Sequence, residues 1–195
     1  MKRAIITITL FIYTTFPGYS QAKERAFYNH KLTIEPAVGT KLVTFAGGTL
    51  DIQPAVLVQY NLHPRLNFIL HAATSLDIKT SHFKNVKTKH NYTSYQRIGI
   101  GTTLYSRKTA NSFYLTGGAK HYMYSAKMNN KNLSETVEVD IDKWYPDWGL
   151  LYAFKWGKKR TFFCSRIYFP LFAEDMGYNL IENMTIEFGI GLRIM

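Results

Sequence analysis

The 195 residues suit one domain, and 24 Lys and Arg against 13 Asp and Glu give a formal charge of +11 that favours anionic partners. A single cysteine, Cys164, excludes an internal disulfide framework and is expected only to pack. No stretch reaches the roughly eighteen consecutive apolar residues of a membrane-spanning helix.

Residues 1–22 read as a secretory signal peptide. Lys2 and Arg3 supply the positive start, Ala4 to Phe16 the apolar stretch, and Pro17-Gly18 breaks any helix before the small-x-small site Ser20-Gln21-Ala22. The segment is too short for a transmembrane helix, and no cysteine follows the site to carry a lipid anchor. Residues 23–195 are then the mature domain, with a short polar lead-in over 23–30. An exported address disfavours nucleic acid as the partner of the basic surface.

From Lys31 onward the text is rich in Val, Ile, Thr, Tyr and Phe, and alternates with period two. The first run extends from Leu32 to about Phe45, and Gly47-Gly48 makes a hairpin turn. In the second, Leu50, Ile52, Pro54, Val56, Val58, Tyr60 and Leu62 oppose Asp51, Gln53, Ala55, Gln59 and Asn61, with a bulge expected at Pro54. His63-Pro64-Arg65 turns into a third run, where Leu66, Phe68, Leu70, Ala72 and Leu76 oppose Asn67, His71, Ser75 and Asp77. A long polar loop is expected over 78–92. The fourth run sets Ile98, Ile100, Thr102 and Leu104 against Arg97, Gly99, Gly101 and Thr103, and Arg107 to Asn111 form a short turn. The fifth sets Phe113, Leu115, Gly117 and Ala119 against Tyr114, Thr116, Gly118 and Lys120, before a second long loop over 125–142. In the sixth, Trp144, Trp148, Leu150, Tyr152, Phe154 and Trp156 oppose Asp147, Gly149 and Lys155. A basic turn, Gly157-Lys158-Lys159-Arg160, leads to the seventh run, Thr161 to Leu171, and a last loop is expected over 172–183.

The eighth run, Met184 to Met195, is the most regular. Met184, Ile186, Phe188, Ile190, Leu192 and Ile194 share one parity; Thr185, Glu187, Gly189, Gly191 and Arg193 share the other. From Met184 to Ile194 a strand reaches roughly 33 Å, enough to cross a hydrocarbon layer. A lone strand in lipid would leave its backbone groups without partners, so it must close into a barrel. After the first hairpin the connections run short, long, short, long, short, long, as an even-stranded membrane barrel requires. A soluble lipocalin-like barrel also alternates, but its exterior should carry more Lys and Glu than the sparse, Gly-rich face here. The expected fold is all-β: an eight-stranded antiparallel up-and-down transmembrane β-barrel, or ten-stranded if a long loop hides a hairpin.

In length and pattern the mature chain resembles the small OmpA/OmpX-type outer-membrane barrels. The sharpest local feature is Glu187-Phe188-Gly189-Ile190-Gly191-Leu192-Arg193-Ile194, which looks like the terminal insertion signal of that class: Glu187, Gly189, Leu192 and Ile194 occupy its positions. The resemblance implies recognition by the barrel-assembly machinery, an outer-membrane address and a monomer. The chain departs from the pattern in ending on Met195 rather than an aromatic residue.

If the apolar parity faces lipid, Glu35, Arg97, Lys120, Arg166, Glu187 and Arg193 point inward, where opposed charges would form an ion network filling the lumen. Lys79, Lys84, Lys87 and Lys89 fall in a stretch without Asp or Glu and are candidates for binding lipopolysaccharide phosphates. Glu135, Glu138, Asp140 and Asp142 match no calcium-loop spacing and read as a polar surface loop. Some lipid A deacylases are small barrels with a lipid-facing His and Ser assisted by Glu. Here His121 and Ser125, with Glu135 beyond, stand four residues apart, about 13 Å along a strand and out of hydrogen-bond reach. His71, Ser75 and Asp77 fail likewise. The expectation is a non-enzymatic envelope protein without cofactor or metal, acting through its external loops on lipid and lipopolysaccharide. The alternatives are a lipid A-modifying enzyme and a narrow small-solute channel.

Overall fold

The computed structural model describes residues 30–41, 51–63, 65–77, 86–130, 135–157, 159–171 and 184–194. The signal-peptide segment, the Gly47-Gly48 turn and the 172–183 connection lie outside them. Eight strands follow in order: β1 (Leu32–Lys41), β2 (Asp51–His63), β3 (Leu66–Asp77), β4 (Val86–Tyr105), β5 (Thr109–Asn130), β6 (Glu135–Trp156), β7 (Thr161–Pro170) and β8 (Thr185–Arg193). Each pairs antiparallel with its neighbour in sequence, and β8 pairs with β1 to close the barrel. Closure gives every strand two partners, the only arrangement in which a sheet leaves no open edge.

The period-two pattern sorts the faces. Leu70, Ile98, Leu115, Leu150 and Ile190 lie on the outside, Ile98 being 66% exposed, whereas Glu35, Gln53, His71, Arg97, Lys155, Arg166 and Glu187 are buried inside. A soluble protein does the reverse with its large apolar residues. The lipid-facing band is flanked by exposed Trp144 and Trp156, twelve positions apart on β6, about 40 Å along the strand and less across a tilted barrel. At the lower end, the turn between β6 and β7 uses Gly157 at φ 152°, a conformation that other residues rarely adopt.

Three expectations need correction. β1 is described as far as Lys41, and residues 42–45 of the expected first run lie outside the described residues. Pro54 makes no bulge: it stands opposite Val38, and the pairings Ile52↔Leu76 and Ala55↔Ala73 keep one register on either side of it. The register shift falls instead between Asn61 and His63. The polar stretches assigned to loops are largely strand: β4 begins at Val86, β5 continues to Asn130 and β6 starts at Glu135. Above the lipid band both faces of a strand meet water, so hydropathy loses its alternation although the ladder continues. For the same reason Trp144 lies within β6 rather than at its end. Residues that might have formed a further hairpin lengthen existing strands, which settles the count among the described residues at eight.

A charge placed in the outward band tests this orientation. Ile98→Arg should destabilise the folded barrel by about 2–4 kcal/mol if the site lies near the bilayer midplane. The measurement is urea unfolding in liposomes; an unchanged midpoint would mean that Ile98 does not face lipid.

Candidate functional site

Charged side chains from β1, β4, β6, β7 and β8 meet in the lumen, β6 supplying both Asp147 and Lys155, so that six charges form one connected chain of contacts. Glu35 accepts from Lys155 Nζ and from Thr33 Oγ1 (2.8 Å). Arg166 Nε donates to Glu187 Oε2 at 2.7 Å, and Arg166 Nη1 donates to the Glu35 carbonyl at 3.1 Å, 3.7 Å from the Glu35 carboxylate. Arg97 Nε donates to Asp147 Oδ2 at 2.6 Å; its guanidinium lies over the Tyr168 ring, 3.6 Å from the centroid, and Tyr168 donates to Asp147 at 2.5 Å.

His71 joins the two halves. Arg97 Nη1 stands 3.3 Å from His71 Nδ1, and His71 Nε2 lies 3.1 Å from Glu187 Oε1. A guanidinium only donates, so Nδ1 accepts, and the ring proton is assigned to Nε2, which donates to Glu187. With His71 neutral, Arg97, Lys155 and Arg166 balance Glu35, Asp147 and Glu187. Gln53 and Gln59 add polar partners, Gln53 donating to Glu187 at 3.3 Å and Gln59 receiving Tyr114 Oη at 2.6 Å.

Two other layers close the lumen. Toward the outer rim, Asp51 accepts from Ser75 (2.7 Å), Thr40 (2.7 Å) and the Lys41 amide (3.0 Å). Toward the turns, Tyr105, Ala110, Phe162 and Cys164 form an apolar cluster, next to a hydrogen-bonded Thr103 and Ser112 (2.8 Å).

The structure thus brings together Glu35, Arg97, Arg166 and Glu187 of the six residues singled out in the sequence. It separates Arg193, which donates to the carbonyls of Gly157 (2.9 Å) and Lys159 and fastens the last strand to the β6–β7 turn. Lys120 is half-buried beyond the Arg97 level, in register with Tyr95 and Tyr145. His71, Asp147 and Lys155, absent from that set, complete the network. Their inward parity was legible, but nothing in the sequence gave their relative heights. Among the terminal-signal residues, Glu187 is held in the network and Leu192 faces outward. Gly189 lies so close to β1 that a Cβ there would fall 2.1 Å from the Pro36 carbonyl oxygen.

Outside the lumen, β4, β5 and β6 continue past the barrel as a three-stranded sheet. Lys127 pairs with Glu138, and His121 Nε2 lies 2.6 Å from Asp142 Oδ1 while stacking on Trp144 at 4.4 Å. The acidic residues of β6 are therefore partnered in part by β5, and among the described residues no group of three His, Cys, Asp or Glu could hold a metal ion. Of the four candidate lysines, Lys79 and Lys84 lie outside the described residues; Lys87 and Lys89 belong to β4 and not to a loop, Lys87 standing opposite Lys127 in register. Neither hydrolase constellation assembles. Ser125 stands opposite His90 while His121 engages Asp142, and Ser75 is bonded to Asp51 while His71 engages Glu187.

A closed antiparallel barrel with apolar residues outside and a packed ionic lumen is a transmembrane β-barrel, and its eight-stranded up-and-down topology is that of the small OmpA/OmpX-type proteins. Among solved structures the chain is similar to Neisserial surface protein A, at 9% identity and a TM-score of 0.42, covering 84% of this chain and 95% of that one. It is also similar to Ail, the attachment invasion locus protein of Yersinia pestis, at 12% identity and a TM-score of 0.44, covering 84% of this chain and 97% of that one. No protein-family model and no curated protein matches the chain.

Two measurements test the lumen. Glu187→Ala leaves Arg166 and the His71 N–H without their acceptor and should cost about 3–5 kcal/mol of unfolding free energy in detergent; an unchanged value would mean that the network adds no stability. Planar-bilayer recordings of the native protein should show no steady unitary conductance, since buried side chains fill the bore; a reproducible step would mean that the packing opens.

Proposed function

We propose that the chain is a monomeric, non-enzymatic protein of the Gram-negative outer membrane. It is exported through a cleaved leader, inserted through its terminal strand by the barrel-assembly machinery, and active at the cell surface. The observation that carries this reading is the continuation of β4, β5 and β6 beyond Trp144, where the lipid-facing band ends. Strands of 20, 22 and 22 residues far exceed what crossing the membrane needs, about ten per strand. The surplus is a platform in the external space, whereas the lumen is committed to its own ion pairs.

The basic stretch from Lys79 to Lys89, with no Asp or Glu between Ile78 and Tyr92, is suited to the phosphates of lipopolysaccharide.

Replacing Lys84, Lys87 and Lys89 together by Glu should weaken binding of purified protein to lipopolysaccharide vesicles at least tenfold, with the faster migration of unboiled protein retained. Equal binding by the triple variant would remove the lipopolysaccharide contact from the proposal. Lipid A mass spectra from cells with and without the protein should be the same; a lost or gained acyl chain would overturn the non-enzymatic reading.

A further inference from the structure

The short-turn end of the barrel is cationic. The turns between β2 and β3, β4 and β5, and β6 and β7 carry Arg65, Arg107, Lys108, Lys159 and Arg160 at exposed positions, and their sequences hold no Asp or Glu. Two of these turns are joined. The Gly157 amide donates to the Lys108 carbonyl at 2.9 Å, and the Arg193 amide donates to the Arg160 carbonyl at 2.9 Å. The Arg193 guanidinium donates to the carbonyls of Gly157 and Lys159. Lys108, Lys159 and Arg160 thus stand on one hydrogen-bonded patch of backbone, which lowers the cost of ordering several cations around one ligand.

Above this patch, the outward face of β5, β6 and β7 forms an apolar groove. Phe113, Tyr152 and Ile167 stand side by side in register, and Leu115, Leu150 and Phe169 form the next row toward the membrane centre. Tyr152 and Ile167 are half-buried between more exposed neighbours, and the rings of Phe113 and Tyr152 lie 5.1 Å apart. The groove holds about 610 Å³, within the range of about 300–1,000 Å³ typical of small-molecule sites. Tyr152 and Leu150 lie about 13 and 20 Å along the strand from Trp156, or roughly 10 and 15 Å in depth at a barrel tilt of about 40°. That places the groove in the leaflet on the turn side, within half of a hydrocarbon core about 30 Å thick. Between the groove and the turns, Tyr152 Oη donates to Asn111 Oδ1 at 2.7 Å, a polar pair at the level of a phospholipid's ester groups.

We propose that the outward face of β5, β6 and β7 at the short-turn end binds an anionic diacyl phospholipid. Its phosphate is held by Lys108, Lys159 and Arg160, and one acyl chain lies in the groove between Phe113 and Phe169. The juxtaposition carries the inference: the cations select the charge of the head group, and the groove directly above them takes the tail. Two other occupants fit less well. A second copy of the chain brings the same cations to this end, and the two would repel. Lipid A, proposed above to meet Lys87 and Lys89, would bind at the far end of β4 from this patch.

This inference rests on the outer-membrane reading. Failure of that reading would abolish the faster migration of unboiled protein, whereas failure of the present inference would leave it unchanged. The test is native mass spectrometry of the folded protein released from detergent micelles that contain phosphatidylglycerol or phosphatidylcholine with the same acyl chains. Phosphatidylglycerol should be retained at least fivefold more than phosphatidylcholine. Replacing Lys108, Lys159 and Arg160 together by Gln should remove that preference, whereas Arg65→Gln, on the turn across the closed barrel, should leave it. Ile167→Trp, which fills the groove without changing charge, should lower phosphatidylglycerol retention at least threefold. Equal retention of the two phospholipids by the native protein, an undiminished preference in the triple variant, an equal loss in Arg65→Gln, full retention by Ile167→Trp, or tighter retention of lipid A than of phosphatidylglycerol would each overturn the proposal.

Discussion

A peptide group in hydrocarbon has no water to bond with, and each one left unpaired costs several kcal/mol. Everything else in this protein is built on the closure that this penalty compels. The seam is the pairing of β8 with β1, in which Arg193 stands opposite Thr33 and Thr185 opposite Lys41. Both strands are short, and β8 is bound at its lower end by the Arg193 amide donating to the Arg160 carbonyl and by the Ile194 amide donating to that of Leu32. Close approach at the seam needs Gly189, since any side chain there would collide with the β1 backbone. The last strand thus completes the hydrogen bonding of the first, and the barrel exists only once both are in place.

Closing eight strands leaves a bore too narrow for bulk water and too polar to collapse as an oil drop. The chain fills it with three positive and three negative side chains from different strands, tied together by a neutral histidine that accepts from Arg97 and donates to Glu187. Buried ions are expensive alone and tolerable only when each meets a partner. Their arrangement is therefore specific: Glu187 serves Arg166, His71 and Gln53 at once, and Arg97 divides its contacts among Asp147, His71 and the ring of Tyr168. Such a lumen holds the strands in register more than it offers a path.

That surface arises by continuation of the same ladder. β4, β5 and β6 leave the lipid and keep their hydrogen bonding, exchanging apolar outward residues for Lys127, Glu138 and Asp142. Among the described residues β3 and β7 pair with β4 and β6 over a shorter length than β4, β5 and β6 pair with one another.

The sequence by itself determined the class of structure. The parity of Ile186, Phe188, Ile190 and Leu192 against Glu187 and Arg193 is a local property of one strand, and lipid permits only one family of solutions to it. It also told which charges point inward, because parity alone fixes the face. It did not tell their heights, which depend on stagger between strands: Glu35 and Lys155 are 120 positions apart and meet only after closure. For the same reason Arg193 and Lys120, inward by parity, lie away from the cluster. The lengths of β4, β5 and β6 were hidden as well, since residues 86–92 and 125–142 alternate weakly where water covers both faces. Only the tertiary structure decided that these polar residues extend the sheet, because pairing with a neighbour, and not hydropathy, is what makes them strands.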